Sequence, residues 1–357
     1  MKSKKINNLF SFSETINHTL KQCMLADKTI FCMGLGVLDP GGVFGSTVNL
    51  FKEKNLKNRF IEPPTSENGF TGVAIGMALN DLKIVISHQR VDFSLYSMDQ
   101  VINSAAKWFY MFNGQKSVNI TIRMVIGKGW GQGPTHSQSL HSLFAQIPGL
   151  KIVIPSGPKN VKGLLKASID DPNPVIFLEH RWLYEMKEKV DLKKYSLPIN
   201  KSKIITKGKD ITIVTLSYLV FELEKIYHLL KNDFQIHIEV IDLVCASPND
   251  YKIILNSAKK NNKILFIDIG HDRGSIMKDI FFKIFNSDID IKKADLIAMP
   301  DSPVPTSRHI AKYFYPDSKI IIKKIFKMIG INKKFKLNQN YLNRNKDTPG
   351  DWFKGPF

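Results

Sequence analysis

Two segments of the sequence place a carboxylate and an aromatic ring where chemistry could occur. In residues 65–78, Glu67 precedes a run rich in glycine and alanine, and glycine lets a ligand or another backbone come close. A carboxylate at the start of a helix also interacts favourably with the helix dipole, so Glu67 by itself could be a simple capping acid. Phe93 follows a predicted strand and could stack on an aromatic ligand or belong to the core.

A third segment, residues 127–139, combines four glycines with one proline. This composition predicts a shaped loop rather than a regular element. The loop would present His136, because histidine titrates near neutral pH and often acts as a general acid or base; a structural role is the alternative. The sequence contains no Gly-x-Gly-x-x-Gly after a strand, no P-loop and no His-Glu-x-x-His, so these nucleotide and zinc sites are not indicated.

The elements that must position these residues alternate short β-branched runs with amphipathic stretches, which is typical of parallel α/β layers. In the first series we predict helices at 10–25 (capped by Ser11 or Ser13), 69–79, 98–112, 140–146 and 158–169, and strands at 29–33, 83–87, 120–125, 151–154 and 174–178. In the second series we predict strands at 211–216, 236–241, 263–268 and 294–298, and helices at 218–230, 248–260, 275–285 and 307–314.

Between the two series lies a lysine-rich segment at 185–203 that includes Pro198 and lacks an apolar period. The sequence therefore predicts two domains and a tail. The predicted boundaries are 1–190 for the first domain, 191–203 for the linker, 204–335 for the second domain and 336–357 for a polar tail that extends as an arm.

The overall composition indicates an ordinary soluble protein. The chain has 357 residues, 43% of them hydrophobic and 23% charged, which suffices for two domains with their own cores. No apolar run is long enough to cross a bilayer and no secretory signal is recognisable, so we expect a cytoplasmic location. The spacing of Cys23, Cys32 and Cys245 fits neither a zinc clamp nor a disulfide framework.

The net charge of +19 raises the question of anionic partners. Residues 319–346 contain nine basic side chains and no acidic one. This stretch could dock an anionic surface, or it could be a solvated basic face. We expect neither nucleic acid nor a membrane as a partner; nucleic-acid binding through the stretch would weaken steeply with salt.

Taken together, the three chemical segments resemble, in order and spacing, the beta subunit of the dehydrogenase component of 2-oxo acid dehydrogenase complexes, the pyruvate and branched-chain type. Further matches are Gly-Gly-Val-Phe-Gly-Ser-Thr at 41–47, Pro-Gly-Leu-Lys-Ile-Val-Ile-Pro-Ser at 148–156 and Asp-Pro-Asn-Pro-Val-Ile-Phe-Leu-Glu at 171–179. The resemblance implies an α/β fold of two domains, a pyrimidine-binding thiamine-enzyme domain and a transketolase C-terminal-like domain. Each is a mainly parallel sheet flanked by helices.

The resemblance also implies roles for single residues. Glu67 matches the glutamate that hydrogen-bonds the aminopyrimidine ring of thiamine diphosphate and so activates the cofactor. Phe93 matches the aromatic residue that packs against the pyrimidine, and His136 the histidine that faces the substrate. Five residues match positions that bind a structural K⁺ in some members, with strand–loop packing as the alternative: Ile120, Ser168, Ile169, Asp171 and Asn173.

The sequence lacks the Gly-Asp-Gly pattern with a downstream Asn pair that holds the diphosphate through Mg²⁺. The resemblance assigns that pattern to an alpha subunit and implies an α2β2 heterotetramer with the cofactor across the interface. It further implies a small, pyruvate-like 2-oxo acid substrate, oxidative decarboxylation and acyl transfer, with a lipoyl acyltransferase core as a further partner.

Two departures from the family concern the substrate and its proton transfer in the first case and the acceptor of the acyl group in the second. Residues 33–37, Met-Gly-Leu-Gly-Val, stand where the family usually has acidic residues, and the loop at 129–135 resembles divergent paralogues found with bacterial surface-polysaccharide genes. The alternative function is a split transketolase-like enzyme that passes a two-carbon or acyl unit to a sugar or aldehyde. A scaffold subunit without catalysis is a third hypothesis, against which Glu67 and His136 argue.

Overall fold

A computed structural model describes residues 9–128, 131–193, 195–311, 313–337 and 353. The contacts divide the chain into two compact units. The first comprises Met1–Val125 and Ile147–Ile199, and the second comprises Ile126–Gln146 and Asn200–Phe357. The predicted domain boundaries run continuously along the sequence and remain predictions, whereas the contacts group residues 126–146 with the second unit. In the described ranges no helix is both long and apolar enough to cross a bilayer.

The described strands, in chain order, are β1 (Leu9–Ser11), β2 (Ile30–Gly34), β3 (Phe60–Ile61), β4 (Lys83–His88), β5 (Ile120–Ile126), β6 (Lys151–Val153), β7 (Val175–His180), β8 (Lys187–Lys189), β9 (Lys203–Thr206), β10 (Ile211–Thr215), β11 (Ile238–Asp242), β12 (Cys245–Ser247), β13 (Lys263–His271) and β14 (Lys293–Met299). The described α-helices are α1 (Phe12–Ala26), α2 (Glu67–Leu79), α3 (Val91–Ser94), α4 (Trp108–Met111), α5 (His141–Ala145), α6 (Pro158–Asp170), α7 (Tyr218–Phe234), α8 (Tyr251–Asn261), α9 (Ile276–Phe285), α10 (Arg308–Ala311) and α11 (Ser318–Ile329).

The first unit is built on a sheet in which its strands follow the order β6-β7-β5-β4-β2-β3. The pairs β2–β3, β2–β4, β4–β5 and β6–β7 are parallel. Strands β4, β5 and β7 are buried along almost their whole length, as expected for β-branched runs covered on both faces. Because parallel strands point the same way, the carboxyl ends of β4 and β5 lie at one edge of the sheet, where β4 ends with Ser87 and His88.

The start of α1 agrees with its predicted cap. The Ser11 hydroxyl accepts a hydrogen bond from the Glu14 backbone, and the Glu14 side chain accepts one from the Ser11 backbone. This reciprocal pair is a capping box, which satisfies two amide groups that the first helical turn leaves unpaired.

The second unit has its own sheet in the order β14-β13-β10-β11-β9. The pairs β10–β11, β10–β13 and β13–β14 are parallel, and only the edge strand β9 runs antiparallel to its neighbour β11. Its core is formed mainly by Ile, Leu and Val side chains of β10, β11 and β13. Both units are therefore mainly parallel sheets flanked by helices.

Three secondary-structure predictions were wrong or incomplete. A single helix at 98–112 does not form: a 3₁₀ turn at Leu95–Ser97 leads to a π-helical turn at Gln100–Ala105, and α4 follows separately. The wide turn is visible in the hydrogen bond from the Ala106 amide to the Val101 carbonyl, five residues back.

The other two secondary-structure predictions concern charged segments. The lysine-rich segment predicted as a linker contains β8, which pairs antiparallel with β1. Within the basic stretch, Ser318–Ile329 forms α11, which buries isoleucines and exposes Lys319, Lys323 and Lys327. Residues 338–346 of the stretch, and the predicted polar tail apart from residues 336, 337 and 353, lie outside the described residues.

Candidate active site

Glu67 is the first residue of α2 and turns inward. Its side chain is buried at 9% exposure, although Ser66, Asn68 and Gly69 beside it are exposed. The buried face of the helix continues through Phe70, Thr71 and Ala74, the spacing expected for one side of a helix. A capping acid normally stays in solvent, so the buried carboxylate favours a specific role for Glu67.

Two buried polar atoms near this helix have no hydrogen-bond partner among the described residues: the Thr71 hydroxyl and His88 Nε2. Thr71 lies one turn after Glu67, and the His88 ring centroid lies 5.5 Å from that of Phe70. Burial lowers the pKa of His88 to about 4, so the imidazole is neutral at physiological pH. Buried polar groups normally find a partner, so these orphaned atoms indicate a place where a polar ligand would fit.

Phe93 lies in α3 and is half-buried. Helix α2 packs against the 3₁₀ turn that follows Phe93 and against the π-helical turn Gln100–Ala105. A Cβ added to Gly72 would come within 3.3 Å of the Gln100 side-chain oxygen, so a glycine suits this close approach. The structure therefore places Phe93 directly before a turn that packs against α2, the helix that begins at Glu67.

A fully buried ion pair, missed by sequence reasoning, lies at the same edge of the first sheet. Arg123 in β5 donates to both carboxylate oxygens of Glu179 in β7, at 2.6 and 2.9 Å, and to the hydroxyls of Ser87 and Ser46. The Tyr184 hydroxyl donates to the same carboxylate. Although burial opposes the charge, the Glu179 carboxylate raises the pKa of Arg123. The only local signal was an arginine inside an apolar strand.

Two more buried arginines contact the ring of Phe44. Their guanidinium carbons lie 5.3 Å (Arg90) and 4.9 Å (Arg181) from its centroid. Burial, and next the positive charge of Arg181, lower the pKa of Arg90 to about 10. Phe44 itself adopts a left-handed backbone conformation with φ of 47° in the glycine-rich turn at 41–45. The network keeps three positive charges close to the carboxyl ends of β4, β5 and β7.

His136 belongs to the second unit. It ends the 3₁₀ turn Pro134–His136, is half-buried, and its Nδ1 lies 3.0 Å from the Thr135 hydroxyl. Two residues of the same loop, Gly129 and Trp130, lie outside the described residues. Of the predicted site residues, Glu67 and Phe93 lie in the first unit and His136 lies in the second.

The residues matched to a K⁺ site lie near one another, but protein groups already use the key oxygens. The Ser168 carbonyl accepts from the Thr121 hydroxyl and the Asp171 amide. The Asp171 carboxylate accepts from Lys151 Nζ at 2.6 and 2.8 Å and from the Asn173 amide. Across the described residues, no group of three or more His, Cys, Asp or Glu side chains is arranged to hold a metal ion.

The segment at 33–37 that lacks the expected acids still has a carboxylate beside it. Glu62, just after β3, accepts hydrogen bonds from the backbone amides of Gly36, at 2.5 Å, and Leu38, at 3.0 Å. Gly34 has φ of 148°, and a Cβ there would come within 2.2 Å of the Ser87 carbonyl oxygen. Close packing against β4 therefore requires this glycine.

Comparison with known proteins agrees with this architecture. Residues 9–187 match the family described as "Transketolase, pyrimidine binding domain", and residues 200–321 match "Transketolase, C-terminal domain". Among solved structures, a chain titled "Split gene transketolase, inactive beta4 tetramer" superimposes with a TM-score of 0.73 over 91% of this chain and 100% of that one. At 14% identity this likeness shows the fold alone.

Three curated relatives define the class more narrowly. The acetoin:2,6-dichlorophenolindophenol oxidoreductase subunit beta of Bacillus subtilis is 34% identical over 90% of this chain and 98% of its own. The 2-oxoisovalerate dehydrogenase subunit beta of the same organism is 35% identical, over 86% and 94%. The mitochondrial pyruvate dehydrogenase E1 component subunit beta of Saccharomyces cerevisiae is 31% identical, over 89% and 88%.

The two matched domains define a transketolase-like protein of the thiamine diphosphate-dependent class. Within it, the chain belongs to the family of 2-oxo acid dehydrogenase beta subunits, which are oxidoreductases. The predicted family and fold class are confirmed, and the dehydrogenase function is favoured over the split transketolase.

Proposed function

We propose that this chain supplies the cofactor-activating half of an active site that oxidatively decarboxylates a small 2-oxo acid. The observation that carries the proposal is Glu67, a buried carboxylate that opens α2 inside the matched pyrimidine-binding domain. When bound, thiamine diphosphate would supply a carbanion that attacks the substrate carbonyl and a ring that accepts the electrons released on decarboxylation.

The described residues fit the aminopyrimidine half of that cofactor. Glu67 offers a carboxylate that can share a proton with a ring nitrogen, and Phe93 offers an aromatic ring just before the turn that packs against α2. The orphaned Thr71 hydroxyl and His88 Nε2 add polar atoms that lack partners within the described chain. Because His88 stays neutral, it adds no positive charge that would compete for Glu67.

Glu67 would hold the proton at the pyrimidine nitrogen and thereby set the protonation state of the cofactor. Low exposure strengthens the interaction, since a hydrogen bond to a charged group is stronger where water is excluded. His136 would act on the substrate side, where its imidazole can donate or accept a proton as charge develops. Phe93 would fix the orientation of the ring.

The remaining components would come from partners. An alpha subunit would carry the Gly-Asp-Gly pattern and hold the diphosphate through Mg²⁺, in an α2β2 assembly. A lipoyl acyltransferase would be the acyl acceptor. At the positions matched to a K⁺ site, Lys151 already supplies a positive charge to Asp171.

The experiment is a substrate survey with the co-expressed alpha and beta chains. The pair should reduce an artificial electron acceptor with pyruvate or a branched-chain 2-oxo acid. Acetoin belongs in the survey because one relative is named for it. Glu67→Gln should abolish the activity, whereas Glu53→Gln, on the exposed surface, should not. Carbon–carbon bond formation with aldehydes, without reduction of the acceptor, would instead establish the split transketolase.

A further inference from the structure

The loop that carries His136 is held by two buried side chains, Lys128 and His141. The loop begins after β5 and ends at the start of α5, and its residues group with the second unit. The two ends of the loop meet at Gly127 and Gln138, which we call its neck. There the Gly127 amide donates to the Gln138 carbonyl at 3.0 Å. The neck fixes where the loop begins and ends, but it does not determine where the loop lies on the second unit.

Lys128, the residue after the neck, makes one attachment to the second unit. Its side chain is fully buried, and Nζ donates to the Pro305 carbonyl at 2.8 Å and to the Thr306 carbonyl at 3.3 Å. On the far side of the loop, Gly133 lies against the same segment, because a Cβ there would be 2.5 Å from the Thr306 hydroxyl. The loop therefore contacts the 305–306 segment both before and after Gly129 and Trp130.

The second attachment follows the loop at the start of α5. His141 Nε2 lies 2.8 Å from the Asp268 carboxylate, and both side chains are fully buried. Asp268 also accepts from the Gly270 amide at 3.0 Å and from the Ser275 hydroxyl. The His141 ring leaves so little space that a Cβ on Gly270 would lie 2.7 Å from its Cε1.

Burying an ammonium group opposes folding, because the charge loses its hydration. Its transfer from water costs several kcal/mol, and an apolar side chain of the same volume often serves stability equally well. What the ammonium group provides is direction, because its N–H groups bond strongly only when they are nearly aligned with the acceptor oxygens. The Lys128 contacts thus specify one position of the loop rather than merely stabilising the second unit.

We propose that Lys128 is a positioning residue for His136, with the His141–Asp268 pair as the second anchor of the same loop. The proposal deepens the proposed function, since it rests on the catalytic role of His136. The residues that would position His136 therefore belong to the second unit, whereas Glu67 belongs to the first unit.

The first test needs neither cofactor nor partner. Hydrogen–deuterium exchange of the purified full chain should be about tenfold faster in residues 131–138 after Lys128→Met, because the loop loses its anchor. Lys162→Met is the matched control: Lys162 is also buried, but it lies in α6 of the first unit over the Tyr195 ring. Unchanged exchange in 131–138, or an equal increase throughout the second unit, would overturn the proposal.

The second test is kinetic and uses the co-expressed pair. Misplacing a catalytic group by about 1 Å can cost on the order of a hundredfold in kcat. If Lys128 acts through His136, Lys128→Met and His136→Gln should each lower kcat with little change in KM, and the double variant should be no slower than the His136 variant. Additive losses would refute the proposal.

The catalytic role of His136 and the anchoring of its loop by Lys128 can be refuted independently. If His136→Gln leaves kcat unchanged while Lys128→Met frees the loop, the catalytic role of His136 is wrong and the anchoring is right. If Lys128→Met does not fold, Asp268→Leu removes the acceptor for His141 and so breaks the other anchor, and it should show the same local increase in exchange. No local increase in that variant would contradict the proposal as well.

Discussion

Neutral His88 makes stability depend on pH in a calculable way. Burial lowers the pKa of its imidazole from 6.5 to about 4, so the folded chain binds this proton less tightly than the unfolded chain. Between these two values the unfolded state binds more protons, and stability falls as the pH falls. With 1.36 kcal/mol per unit of pKa, the loss from this group should reach about 2.5 kcal/mol near pH 4.5 and be negligible near pH 7.5.

Urea unfolding of the full chain at both pH values measures this loss. His88→Leu keeps a side chain of similar size against Phe70 and removes the titrating group. The variant should therefore lose less stability on acidification than the wild type, by about 2.5 kcal/mol. Replacing the exposed His309 in the same way is the control. If the difference between His88→Leu and wild type is the same at both pH values, the imidazole is not buried as described.

Two further predictions concern buried groups of the first unit. Arg123→Met should destabilise the chain by about 3–5 kcal/mol in urea, because it leaves the Glu179 carboxylate buried without its partner, and adding Glu179→Gln should recover part of the loss. Arg273→Met, at an exposed ion pair, should change stability by less than about 1 kcal/mol; equal losses would contradict the burial argument. Burial raises the pKa of Cys32 to about 11, so a thiol reagent should modify it only after unfolding, and rapid modification of the native chain would refute this.

The strands could be predicted because β-branched apolar runs carry their own signal. The run predicted at 120–125 corresponds to β5 at Ile120–Ile126, and the helix predicted at 69–79 begins two residues earlier, at Glu67. The segment at 98–112 could not be predicted in the same way. The width of its π-helical turn comes from hydrogen bonds that span five residues, such as the one from the Ala106 amide to the Val101 carbonyl, and these leave no pattern in the sequence.

The candidate site likewise contains residues that the sequence predicts and residues that only the tertiary structure reveals. Glu67, Phe93 and His136 are predicted site residues through a resemblance that covers most of the chain, since each side chain alone has an ordinary structural explanation. Arg123 and Glu179 lie 56 residues apart in sequence and meet only once β5 and β7 are placed in the sheet. The attachment of Lys128 to the carbonyls of Pro305 and Thr306 spans a still longer separation, so no local pattern could reveal it.

The most direct measurement of the central claim is proton exchange at the thiazolium carbon of thiamine diphosphate bound to the reconstituted alpha–beta pair. Glu67→Gln preserves the size of the side chain but cannot take the proton that a carboxylate takes. The account predicts fast exchange in the wild type and Glu53→Gln, and exchange slowed to that of free cofactor in Glu67→Gln. Exchange at the wild-type rate in Glu67→Gln, with the cofactor still bound, would contradict it.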